Sequence, residues 1–129
     1  MSALSPRQKF LLDMACVPLR SEFPGFGPYL VGTAQAYMKG STPPRDIDVR
    51  HIMRDEEYAR FVKGCGGIEG VRFLGLAIAQ YLASLTGLPI DFQFQQATAA
   101  NAKHSGFREP LGIRGMGHFA GDAEGATDD

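Results

Sequence analysis

Apolar residues at helical spacing open the chain. Ser5 followed by Pro6 is a helix-start pair, and Phe10, Leu11, Met14 and Val17 then recur on one stripe, which predicts an amphipathic helix ending at Pro18, where the ladder loses a donor. The run Phe23-Pro24-Gly25-Phe26-Gly27-Pro28 cannot continue a helix and reads as a turn into a short buried strand, Tyr29 to Val31. Gly32-Thr33 ends that strand. A short helix over 34–39 and a breaker cluster over 40–44 lead to a second strand beginning at Arg45. From Asp46 to Arg50 polar and apolar residues alternate strictly, which sends Asp46, Asp48 and Arg50 to one face and Ile47 and Val49 to the other.

Helical spacing returns over Asp55 to Val62, and glycines at 64, 66, 67 and 70 interrupt it. The longest periodic segment follows, residues 71–86, with Val71, Leu74, Ile78, Tyr81, Leu82 and Leu85 on one stripe and Gly87 as its cap. A third strand, Pro89 to Gln95, alternates again and puts Asp91, Gln93 and Gln95 opposite Ile90, Phe92 and Phe94. Residues 97–103 complete the helices. The Gly-rich stretch from Gly106 onward is expected to be mobile.

Composition narrows the class. A chain of 129 residues, 44% hydrophobic and 21% charged, has the size and material of one soluble domain. A net charge of -1 supplies no general attraction to nucleic acid or anionic lipid. No apolar run is long enough to span a bilayer and no leader-like segment opens the sequence, so a cytoplasmic protein is expected. Cys16 and Cys65 lack metal-ligand spacing and read as free thiols, and His51, His104 and His118 also lack it. The glycines before the long helix superficially match a dinucleotide-binding turn, but Glu69 stands at the third glycine position; no P-loop is present.

The chemistry concentrates in the carboxylates. Two aspartates at i and i+2 on one strand, a third on another, and a glycine and hydroxyl ending the strand before them are the parts of a metal-assisted phosphoryl-transfer site. Divalent cations need hard oxygen ligands on a rigid support. Most such alternating strands are only solvated faces, so the weight rests on the combination.

Val31-Gly32-Thr33, then twelve residues, then Asp46-Ile47-Asp48-Val49, then Asp91 between Ile90 and Phe92, resembles the signature of the DNA polymerase beta nucleotidyltransferase superfamily, above all its minimal members. The resemblance covers residues 29–94. It implies a small α/β fold, a mixed sheet flanked by helices, which is expected to occupy residues 1–116; composition, Gly-rich with four acids and no base at its end, makes 117–129 the expected mobile acidic tail. The resemblance also implies transfer of a nucleoside monophosphate from a triphosphate such as ATP to an acceptor (protein, RNA or small molecule), releasing pyrophosphate, with Mg²⁺ or Mn²⁺ as cofactor. By position, Asp46, Asp48 and Asp91 would bind metal and act in catalysis, and Gly32 and Thr33 would hold phosphates. Lys39, Arg45, Arg50 and Arg54 lie near enough in sequence to assist. Arg45 stands where the family often has Ser. So small a chain leaves little room for an acceptor domain, which makes a homodimer or a partner protein the expectation, with no membrane. The rival expectation is a non-catalytic module of the same fold, antitoxin-like or regulatory, that binds nucleotide or a partner without turnover.

Overall fold

The computed structural model describes residues 4–32, 46–103 and 108–113. Helix α1 (Pro6–Glu22) starts with a reciprocal cap: the Gln8 N–H donates to Ser5 Oγ at 3.1 Å, and the Ser5 N–H donates to Gln8 Oε1 at 3.0 Å. Contrary to the sequence expectation, α1 passes through Pro18 for a further turn. Packing and hydrogen bonding outweigh the missing donor. Leu19 is buried beyond the proline, and Arg20 Nε, Nη1 and Nη2 donate to the carbonyls of Leu111, Phe26 and Pro28 at 2.9, 2.8 and 3.3 Å, tying the last turn to the sheet. The buried stripe is also rotated from the expected one. Leu12, Ala15, Cys16 and Leu19 face inward, whereas Phe10 and Met14 are largely exposed.

Strand β1 (Gly27–Val31) pairs antiparallel with β2 (Ile47–Met53), with Leu30 opposite Val49. β2 runs three residues past the alternating segment because its second half is buried on both faces and so loses the alternation that marks a strand. Helices α2 (Asp55–Gly64) and α3 (Ile68–Thr86) then carry the chain to β3 (Ile90–Gln96), parallel to β2. A crossover of this kind is what parallel pairing requires. α4 (Ala97–Lys103) follows, and β4 (Arg108–Pro110) adds to β1, giving a mixed four-stranded sheet in the order β3-β2-β1-β4. The α/β class with a small mixed sheet is as expected.

The core lies on one face of the sheet, where Leu30, Val49, Met53, Phe92 and Phe94 meet Leu12 and Leu19 of α1 and Val71, Ile78 and Leu82 of α3. On α3 the inward stripe is Val71, Gly75, Ile78, Leu82 and Thr86. Leu85, expected inside, is exposed, and Tyr81 lies at the stripe's edge, its hydroxyl donating to the Ala15 carbonyl at 3.2 Å. The expectation of a mobile chain from Gly106 is corrected by β4 and by Leu111, which is completely buried. Three residues are too few to show a strand period, so β4 left no signal. The expected helix over 34–39 and the tail 117–129 lie outside the described residues.

Candidate active site

The sheet brings Asp48 and Asp91 together. They are cross-strand partners in the β2–β3 register, each near the start of its strand, with side chains on the same face. Arg50, two residues along β2, reaches back between them. Its Nη2 lies 3.3 Å from Asp91 Oδ2 and 3.9 Å from Asp48 Oδ1. The guanidinium does not depend on those carboxylates alone, because Nη1 also donates to the backbone carbonyls of Asp91 at 2.8 Å and Val49 at 3.0 Å. Arg50 is 8% exposed, whereas the carboxylate side chains of Asp48 and Asp91 remain 22% and 40% exposed. A buried, backbone-anchored cation thus underlies two carboxylates that still face solvent.

Asp46 is exposed and stands just before β2, at the same end of the sheet. Gly32 follows β1 at that end too: with Leu30 opposite Val49, the antiparallel register carries the chain past Val31 to the start of β2. Its φ of 56° lies in the left-handed region, where glycine is the natural occupant. Among the described residues no three acids, histidines or cysteines are gathered into a metal-holding cluster, so Asp46 does not close on the other pair. Thr33, Lys39 and Arg45 lie outside the described residues. Arg54 is removed from the acids, six positions from Asp48 or about 20 Å along the strand; it stacks over the Phe26 ring at 4.9 Å and pairs with Glu57 at 3.6 Å.

A cleft of about 620 Å³ opens along the outer edge of β3, and Asp91 is one of its walls. Tyr58, Ile68, Arg72 and Leu76 form the opposite side, with Gln93 and Gln95 continuing along the strand. That volume is in the range of small-ligand sites. Sequence reasoning missed Arg72. Its signal was present: together with Glu69 it supplies all the charge on the 19-residue α3.

His51 and Cys16 are structural. Burial pulls the His51 pKa down to about 4, and its Nε2 lies 3.0 Å from the Pro24 carbonyl, which a neutral ring protonated at Nε2 satisfies. Burial pushes the Cys16 thiol up to about 12, with the Asp13 charge adding to the effect, so it is inert as a nucleophile.

Comparison of the sequence with protein-family models gives no match, and comparisons with curated proteins and with solved structures likewise give none.

Proposed function

We propose that the protein is a metal-dependent nucleotidyltransferase acting at the end of the sheet where Asp48 and Asp91 meet. The observation that carries this reading is their in-register pairing over a buried Arg50, at the sheet end that also bears Gly32 and Asp46. The donor set fits one divalent cation: two hard carboxylates on adjacent rigid strands, partly open to solvent, with Asp46 nearby.

A bound Mg²⁺ would neutralise charge on the phosphates and polarise the α-phosphorus. Asp48 and Asp91 would hold it, and the anchored Arg50 keeps both carboxylates aimed. The acceptor oxygen attacks the α-phosphorus while the bond to the β-phosphate oxygen breaks. Pyrophosphate leaves, and the acceptor's proton passes to the Asp91 carboxylate. The Gly32 turn lets backbone approach the phosphates closely. Arg72 supplies positive charge in the cleft that Asp91 borders.

A second reading has its own support. Because Arg50 already compensates Asp48 and Asp91, the site holds together without metal, as a nucleotide- or partner-binding module would require. The two are separated by titrating ATP, CTP, GTP and UTP with and without Mg²⁺ in a calorimeter, then following pyrophosphate release in cell lysate. Release that disappears in Asp48→Asn supports transfer; Mg²⁺-dependent binding without release supports the module. Neither binding nor release defeats both.

A further inference from the structure

β3 lies at one edge of the sheet, with β2 as its single neighbour. The pairing fixes which way its backbone faces: the Ile47 N–H donates to the Pro89 carbonyl at 2.7 Å, so Asp91, Gln93 and Gln95 turn their backbone groups toward β2, while Phe92, Phe94 and Gln96 turn theirs outward. The outward groups of Phe92 and Phe94 make no hydrogen bond to any described residue, although these residues are only 4% and 5% exposed. Backbone groups of buried residues are nearly always paired, so a bare row of them points to a missing partner. The edge also lacks the features that discourage pairing. Its seven register pairs with β2 run without a bulge, and it carries neither Lys nor Pro. At the opposite edge β4 is three residues long and contains Pro110.

We propose that the cleft along β3 binds an extended segment of another protein, which adds to the sheet as a fifth strand. A polypeptide in strand conformation is the ligand whose donors and acceptors repeat at the spacing of alternate β3 residues. The cleft has a matching length: six consecutive residues, Asp91 to Gln96, line it, about 16 Å of strand.

Its walls set the character of the occupant. An added strand sends alternate residues to the α3 side, where Ile68, Val71 and Leu76 are apolar, and the others toward Gln93 and Gln95. Gln95 Oε1 is buried without a donor among the described residues, an acceptor that an incoming N–H would satisfy. Arg72 is exposed on the cleft wall and forms no ion pair with another described residue, whereas Asp91 is already compensated by Arg50. The segment recognised therefore alternates apolar and polar residues and carries a carboxylate to meet Arg72. Strand addition needs neither metal nor nucleotide, so it stands or falls apart from the catalytic reading.

The probe is a phage-displayed library of random heptapeptides, the length of β3, panned on the full chain in EDTA. Selected peptides should alternate apolar and polar positions and include Asp or Glu. Methylating the backbone nitrogens of a selected peptide one at a time should weaken binding by about tenfold at every second position and little at those between, because only alternate N–H groups would face β3. Leu76→Glu sets a competing carboxylate four residues from Arg72, at a position 69% exposed; it should weaken binding by about tenfold and leave the circular dichroism melt unchanged. A library that yields no binder would overturn the proposal, and if that chain sediments as a dimer, a second copy holds the edge instead. N-methyl effects without a two-residue period would also overturn it, as would binding untouched by Leu76→Glu.

Discussion

Asp48 and Asp91 face each other across the parallel pair β2–β3 and share one guanidinium nitrogen of Arg50, at 3.9 and 3.3 Å. The two contacts are unequal in consequence, because Arg50 also holds the main chain at Asp91 and not at Asp48. Replacing Asp48 by Asn should therefore cost less than about 0.5 kcal/mol of stability, while Asp91→Asn should cost about 1 kcal/mol, a modest value because its side chain is solvent-screened. Both should reduce nucleotidyl transfer by several orders of magnitude. Urea unfolding and pyrophosphate release measure the two effects separately; full turnover by Asp48→Asn would refute the assignment of this carboxylate.

Arg50→Met should be the most damaging change at the site. It removes the guanidinium between the two solvent-facing carboxylates and the donors to two carbonyls, a loss of about 1–2 kcal/mol. If the acids can hold a divalent ion, millimolar Mg²⁺ should restore part of that stability in the variant and much less in the wild type. The comparison is a pair of denaturation curves with and without Mg²⁺, and no difference in the variant would show that the pair does not take up the ion.

The His51 imidazole gives stability a pH dependence of defined sign. Its folded pKa, about 4, lies below the ordinary 6.5, so between those values the unfolded chain binds the extra proton. Stability should be fully present above pH 6.5, fall as the pH drops toward 4, and lose nothing further from this group below that. The total is on the order of 3 kcal/mol. In His51→Gln the slope between pH 6.5 and 4 should flatten, as read from unfolding midpoints across that range.

Two glycines on α3 should respond to alanine with opposite sign. A methyl at Gly70 would overlap the carbonyl oxygen of Cys65, so Gly70→Ala must displace the turn before the helix and should cost 2 kcal/mol or more, about the value for overpacking. At Gly75 a methyl would meet the Phe92 carbonyl oxygen at 3.4 Å, ordinary contact, and Gly75→Ala should gain up to about 0.5 kcal/mol from helix propensity. Melting temperatures of the two variants decide it.

Alternation made the faces of β2 and β3 readable in advance, and with them the shared orientation of Asp48 and Asp91. Their register was not readable, because it depends on how the α2–α3 crossover docks. Position alone puts Arg50 among the basic residues near enough to the acids to assist nucleotide binding. Only the fold reveals that its guanidinium is spent on Asp91, Asp48 and two carbonyls. Pro18 misled for a related reason: local propensity ends α1 there, whereas Arg20 holds its last turn against carbonyls as distant as Leu111. Such long-range partners leave no periodic trace in a sequence.

The parallel pairing also sets an order of events in folding. Arg50 and Asp91 are 41 residues apart along the chain, with two helices between them, so the carboxylates meet only after a large loop has closed. The antiparallel β1–β2 pair joins strands separated by only fifteen residues. The acidic site should therefore assemble late, when β3 zips onto β2. At that moment the guanidinium, already carried two residues from Asp48, turns what would be a repulsive encounter between like charges into an attractive one, so that the same contact which organises the site also eases the slowest step in building it.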